Sequence, residues 1–346
     1  MIRRWLPVVR GLEFEVATRA GIAVAVPLFA LYASGRMDLT AYASFGAMTA
    51  LYGRSEPYRA RLRTVTAAGI GLLVCIALGA VMAAASAPLA VVVLGLLVVI
   101  AAGIITEARV GMFPPTPIFF VFAFTVCALL PTPLGELGGR LLLAMACAAL
   151  AWLLVMSGWA VRRLAGERNS SLFKALPRRP VRRRRVWRDR AVLFSIAQSL
   201  IGVLAAGAIA MALGIGHPYW AVVSVIAVLP PPGAKHSITR SLHRIAGTTA
   251  GVVVTGLILL PGPSQLLLII VVIVAQFGAE ILVGRHYGAA LLFITPLAIT
   301  VSHMASPVPV GQLLVDRVIE TALGAAIGLV LVLLARVVEP RLARLR

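Results

Sequence analysis

Of the 346 residues 60% are hydrophobic and only 13% charged, at a mean hydropathy of +0.99. A soluble globular domain carries about 25% charged residues, so that class is excluded, and the apolar runs are too long and continuous for the alternating strands of a membrane barrel. The net charge of +20 comes from 30 arginines and two lysines against 12 acids, and the position of those cations decides whether they speak for nucleic acid or for a membrane.

In chain order, the stretch MIRRWLPVVRGLEFEVATRAGIAVAVPLFALYAS is basic and then apolar. It lacks a small-x-small cleavage site and reads as a first span rather than a removed signal. A span needs roughly 20 apolar residues to cross about 30 Å of hydrocarbon. Hydropathy and breakers place spans near 17–34, 39–52, 64–85, 88–106, 115–130 and 139–160, then near 191–213, 218–230, 244–260, 264–283, 288–304 and 313–335. Between the two sets lies RRLAGERNSSLFKALPRRPVRRRRVWRDR, residues 162–190, with 12 basic side chains and two acids.

With the N-terminus inside, the basic residues crowd onto one side: Arg3, Arg4, Arg10 and Arg19, then Arg54, Arg59, Arg61, Arg63 and Arg109, the linker, Lys235, Arg240, Arg244, Arg285 and the tail to Arg346. The outer side keeps Arg36, Arg140 and Arg317, so 29 of 32 (32 − 3) are inner. The positive-inside rule predicts this asymmetry. Both termini are expected in the cytoplasm, the chain in the inner membrane, and the Arg-rich linker on anionic lipid headgroups rather than on nucleic acid.

The two sets of six read as a repeat. Gly35 and Gly214, Thr116-Pro117 and Thr295-Pro296, and Arg61 and Arg240 all lie 179 residues apart, while Arg140 and Arg317 lie 177 apart. An even number of spans gives both halves the same orientation, related by an axis along the membrane normal. The expected fold is an all-α polytopic membrane protein of about 12 transmembrane helices. It divides into a first six-helix repeat (1–161), the linker (162–190) and a second six-helix repeat (191–346), forming a pseudo-dimer with a central seam.

In repeat transporters, short or Pro/Gly-interrupted spans at matching positions point to the pathway. LTAYASFGAMTALYG and HPYWAVVSVIAVLPPPG, the second span of each half, are too short for a straight crossing unless the following segment completes them. Each leads into a basic segment, so Arg61, Arg63, Arg240 and Arg244 are candidates for one vestibule and Arg140 and Arg317 for the other. A guanidinium suits carboxylate geometry; the alternative is that these are solvated span-end charges that set topology. Thr116 and Thr295 mark the pathway by their repeat. Trp220, with Tyr219, is either an interfacial aromatic or a stacking partner for substrate. On a helix Arg240, Arg244, Gly247 or Thr248, and Gly251 share a stripe, and the small residues favour close packing of that helix on a neighbour. Glu280 and Glu320 are the proton-coupling candidates, since an acid in lipid costs about 2.5–3.5 kcal/mol and seeks a partner or water. The structural alternatives are pairs of Glu280 with Arg285 and of Glu320 with Arg317. Glu107 reads as a loop pair with Arg109. His303 and Asp316 are the remaining ionisable groups at span ends.

Cys75, Cys127 and Cys147 sit in apolar runs without metal-ligand spacing. The GAKHS stretch lacks P-loop spacing, and no zinc site, nucleophile elbow or dinucleotide fingerprint occurs. No enzyme activity, metal or cofactor is expected.

HPYWAVVSVIAVLPPPGAKHSITRSLHRIAGTTAG, RHYGAALLFITPLAITV and DRVIETALGAAIGLV, and more loosely FGAMTALYGRSEPYRARLR and PPTPIFFVFAF, resemble the fusaric acid resistance protein-like family. That family is related to the aromatic acid exporters and distantly to the plant aluminium-activated malate channels. The resemblance implies an inner-membrane permease built of six-helix halves, exporting aromatic or other organic acids under the proton gradient. The larger exporters carry a substantial cytoplasmic domain where this chain has its short linker. Expected partners are small organic anions, lipid headgroups and, in an oligomer, further copies of the chain. The competing readings are a passive organic-anion channel of the same architecture and a membrane scaffold that transports nothing.

Overall fold

The computed structural model describes residues 14–165, 176–183, 185–234, 238–305 and 308–344; Arg3, Arg4, Arg10, Lys235, His236 and Arg346 lie outside them. Among the described residues there are twelve α-helices. They are α1 (Phe14–Ser34), α2 (Thr40–Ala47), α3 (Tyr58–Ala84), α4 (Leu89–Val110), α5 (Ile118–Leu129) and α6 (Leu137–Ala165), then α7 (Arg190–Ala212), α8 (Tyr219–Val228), α9 (Ile238–Leu259), α10 (Gln265–Leu282), α11 (Tyr287–Ala305) and α12 (Val310–Arg344). Among the described residues nine helices are long and apolar enough to cross a membrane. Their outward faces carry Ile70, Val74, Leu94, Val98, Leu142, Leu153, Ile201 and Leu257 exposed. Such a surface costs free energy in water and none in hydrocarbon.

Three helices fall well short of a crossing. At 1.5 Å per residue, α8 with 10 residues spans roughly 15 Å and α5 with 12 roughly 18 Å; α2 has eight residues and is prolonged by the 3-10 turn Met48–Leu51. Every residue of α2 and of α8 is buried. Non-helical backbone is tolerated at membrane depth only where protein or a cavity surrounds it, which is the condition at the ends of these helices. The short second helix of each half is read correctly from sequence, and each ends before the next helix rather than being completed by it. The shortness of α5 is an addition: Pro114, Pro115 and Pro117 hold the preceding chain out of helix.

The same pairings occur on both sides of the linker. In residues 14–165 α3 packs on α5 and α6, α2 on α1 and α6, and α4 on α5; in residues 190–344 α9 packs on α11 and α12, α8 on α7 and α12, and α10 on α11. Contacts between the two stretches also come in pairs: α1 with α10 and α7 with α4, α2 with α11 and α8 with α5. The small-residue stripe of α9 does what its composition suggests. A Cβ on Gly247 would lie 2.5 Å from the Gly288 carbonyl, and one on Gly251 2.7 Å from that of Leu291, so only hydrogen there lets α11 approach. On the other side of the linker Gly79 brings α3 against the Phe124 carbonyl of α5 in the same way.

Candidate functional site

Three arginines stand along one face of α8. The Arg317 guanidinium lies 4.8 Å over the Trp220 ring, Arg244 donates to the Ser224 hydroxyl at 3.2 Å, and Arg240 donates to the Ala227 carbonyl. Positions 220, 224 and 227 are steps of four and three, one stripe of a helix, and span about 10 Å of rise. Arg244 and Arg317 are each 2% exposed. Arg244 has two weak neutral partners, Ser224 and the Tyr287 hydroxyl at 3.4 Å, and its Nε has none. Arg317 makes no hydrogen bond to any described residue, and no carboxylate lies within ion-pair distance of Arg240, Arg244 or Arg317 among the described residues. Two unit charges one helical turn apart, about 6 Å, repel by about 3 kcal/mol at an effective dielectric of 20. Arg240 differs from the other two: half-buried over the Tyr287 ring at 4.5 Å, it also caps the C-terminus of α8, where a cation meets the negative end of the helix.

The Arg317 end of this row is polar and aromatic. His217 stacks on Trp220 at 5.0 Å, its Nδ1 lies 2.8 Å from Asp316, and its backbone N–H donates to Glu320 at 2.9 Å. Glu320 is therefore engaged by His217 rather than in the expected pair with Arg317. Tyr219 and Trp220 are both buried and so do not stand as interfacial aromatics; Tyr219 stacks across the seam on Phe122 of α5, centroids 6.4 Å apart.

Before the linker the arrangement is different. Arg61 is 1% exposed and packs within the first bundle, 4.6 Å over the Tyr58 ring and 3.4 Å from the Val155 carbonyl. Arg140 is compensated: it meets Glu136 at 3.0 Å, the Pro131 carbonyl at 2.8 Å and the Thr132 hydroxyl at 3.1 Å. Arg63 is exposed on α3 and joins no cluster. Thr295 is fully buried and packs against Gly251 of α9. Thr116, by contrast, lines a small cleft between residues before and after the linker, with Ile104 of α4, Ser195 and Ser199 of α7, and Ile226 and Leu229 to Pro232 at the end of α8. At 100° per residue, Tyr219, Ile226 and Leu229 lie on the opposite side of α8 from the arginine row. The two sides meet at its C-terminal end.

Glu280 is buried and paired with Arg54 of the α2–α3 connection, which also donates to the Glu280 carbonyl at 3.1 Å. The pair joins residues on either side of the linker, a partner for Glu280 that the sequence reading did not name. Glu107 departs most from expectation. It is buried, both of its carboxylate oxygens lack a hydrogen-bond partner, and Arg109 is not its partner, because residues two apart on a helix do not face each other. Only its separation from Arg109 could have exposed this in the sequence.

The described part of the linker is fixed to the helical bundle. Residues 176–183 form an extended strap across one end of the bundle. Its backbone N–H groups at Arg178 and Arg183 donate to the carbonyls of Ser55 (3.1 Å) and Ala108 (2.9 Å). Arg178 pairs with the buried Glu56 at 3.4 Å and lies 4.6 Å over the Phe113 ring. Arg183 pairs with Asp189, the N-cap of α7, and donates to the Pro232 carbonyl at 2.8 Å. Burial pushes the Glu56 carboxyl above the usual range, with Thr64 and Arg178 pulling partly back. Burial also raises Asp189, but the Arg183 hydrogen bond and charge, with the N–H groups of Ala191 and Val192, leave it lowered on balance.

Residues 204–331 match the family model described as fusaric acid resistance protein-like. An uncharacterized membrane protein of Bacillus subtilis (strain 168), YvaC, is 28% identical over 144 residues, covering 41% of this chain and 23% of the relative. An uncharacterized protein of Synechocystis, slr1298, is 31% identical over 130 residues, covering 37% and 17%. The matched stretch thus takes in less than a quarter of either relative's length. No solved structure matches the chain. With nine apolar helices among the described residues and a membrane protein among its relatives, the chain is a multi-pass membrane protein, and over residues 204–331, where the arginine row stands, it is similar to the fusaric acid resistance protein-like family.

Proposed function

We propose that the protein is an inner-membrane permease that exports small organic anions, aromatic acids among them, under a proton gradient. Its two six-helix halves form a pseudo-dimer with both termini in the cytoplasm. The recurrence of helix pairings on both sides of the linker supports the repeat. The observation that carries the function is the two buried guanidinium groups of Arg244 and Arg317 lying along α8, with no carboxylate within ion-pair distance among the described residues. A buried charge lacking its partner costs several kcal/mol; a transported anion supplies that partner while it is bound. Glu107 is the coupling candidate that burial favours, because Glu280 is already engaged by Arg54.

The test is flux of a panel of aromatic and aliphatic carboxylates from proteoliposomes, with pH gradient and voltage imposed separately. Arg244→Gln is expected to lower flux about 10- to 100-fold, the value of one charge-assisted hydrogen bond. Glu107→Gln is expected to abolish the pH-driven component and leave the voltage-driven one. Voltage supplies about 2.3 kcal/mol per charge per 100 mV, so flux that ignores pH in the parent chain assigns the passive-channel reading instead. Absence of flux for every anion leaves the scaffold.

A further inference from the structure

We propose that the cleft under residues 176–183 is the inner entrance for the anion, and that the strap is its lid. This rests on the permease reading for the identity of what enters, but the cover itself is read from contacts alone. The cleft is lined from both halves: Ile104 and Pro115 to Pro117 on one side, Ser195, Ser199, Ile226 and Leu229 to Pro232 on the other. The strap grips both rims. Arg183 holds the Pro232 carbonyl on the second-half rim and, through its backbone, the Ala108 carbonyl one turn beyond Ile104. Arg178 lies over Phe113, two residues before Pro115. Gly111, at φ +78°, sits so close beneath the strap that a Cβ there would meet the Val181 carbonyl at 2.7 Å.

The chemistry of the cleft suits a carboxylate. The hydroxyls of Thr116, Ser195 and Ser199 are nearly buried, and none is in a hydrogen bond to a described residue. They offer three donors, and Arg183 and Arg240 stand at the rim and at the end of α8. The enclosed room is about 10 Å³, no more than a single water needs, so the covered state admits no anion, and lifting the strap enlarges it from the inner side. The fixing contacts are two backbone hydrogen bonds and a few arginine contacts at a water-facing end, few enough to open locally while the bundle stays folded.

The experiment places a cysteine at Thr116 in the full chain and follows its reaction, in inside-out vesicles, with the membrane-impermeant anion 2-sulfonatoethyl methanethiosulfonate. The parent chain sets the background, since Cys75, Cys127 and Cys147 are all buried. With the strap intact the Thr116→Cys variant is expected to react slowly. Adding Arg178→Gln and Arg183→Gln is expected to raise the rate about ten-fold or more, the factor given by losing one charged hydrogen bond from an open–closed equilibrium. Should that chain fail to run as a folded species on gel filtration, Arg183→Gln alone, which keeps the Arg178 anchor, carries the test. A cationic thiosulfonate of similar size is expected to react more slowly than the anion once the strap is loosened. Full reactivity beneath an intact strap overturns the lid, as does a slow rate that neither strap variant changes; faster reaction of the cation overturns the anion entrance. None of these rates requires transport. Failed flux sinks the permease reading and leaves the lid standing, whereas failed labelling removes the lid and leaves flux untouched.

Discussion

At the scale of single residues, charge identity is plain in the sequence and charge partnership is not. Glu107 lies beside Arg109, yet the helix turns them apart; Arg317 and Glu320 are spaced to face each other, yet the His217 N–H has already taken the carboxylate. Glu56 drew no attention as one acid in a basic loop. In the fold it accepts from Thr64 at 2.7 Å, pairs with Arg178, and stands within the field of Arg61 and Arg182, with Arg54, itself held by Glu280, close by. Because burial raises its folded-state pKa, the protonated form is the one the fold favours. Its contribution to stability is therefore full at low pH and falls as pH rises through the window between the unfolded and the raised folded value. The ion pair with Arg178 has the opposite dependence and exists only above the folded value. Acidifying the inner side is thus expected to loosen the strap without destabilising the bundle through this group. The readout is Thr116→Cys labelling that quickens as pH falls from 7.5 to 5, relative to the intrinsic pH dependence of the thiol reaction, and Glu56→Gln is expected to remove that dependence. Labelling that keeps the same pH profile in Glu56→Gln excludes Glu56 as the origin.

At the scale of elements, the helices and their two short members are legible because hydropathy length and proline position are local properties. The strap is not legible. A run of arginines reads as solvated or lipid-bound, and the bonds that fix this one use backbone N–H groups reaching Ser55 and Ala108, which no side-chain pattern encodes. Small residues stand between these cases: GTTAG announces close packing, and the fold supplies the partner. Gly251→Ala gains about 1 kcal/mol of helix propensity, but its Cβ would meet the Leu291 carbonyl and the Thr295 Cβ, each at 2.7 Å. Overpacking of this kind costs about 1–3 kcal/mol, and here the obstacle on α11 includes backbone that cannot rotate away. The expected net result is a lowered thermal midpoint in detergent. Gly21→Ala in α1, where a Cβ would find nothing within 4 Å, is expected to leave the midpoint unchanged or raise it. If both substitutions act alike, the α9–α11 contact is not what the glycine preserves.

At the scale of the whole molecule, the two sides of the seam are built alike and finished differently. Under the proposed repeat α10 corresponds to α4. Ile104 of α4 lines the cleft; Glu280 of α10 is closed against Arg54. One side is thus filled by a buried ion pair, and under the proposed lid the other is closed by the strap. On that reading the ion-paired edge stays fixed while the other opens. Removing one member of a buried pair leaves an uncompensated charge and costs about 3–5 kcal/mol, whereas removing both costs less than the sum. Arg54→Gln and Glu280→Gln are each expected to lower the thermal midpoint, and the double variant to lie above the additive value by a coupling of about 0.5–3 kcal/mol. Flux in the double variant should lose direction rather than rate, because a seam loosened on both edges no longer closes on one while it opens on the other. Strict additivity of the two substitutions places the hinge elsewhere, since it means that Arg54 and Glu280 stabilise their own halves independently and do not hold the seam together.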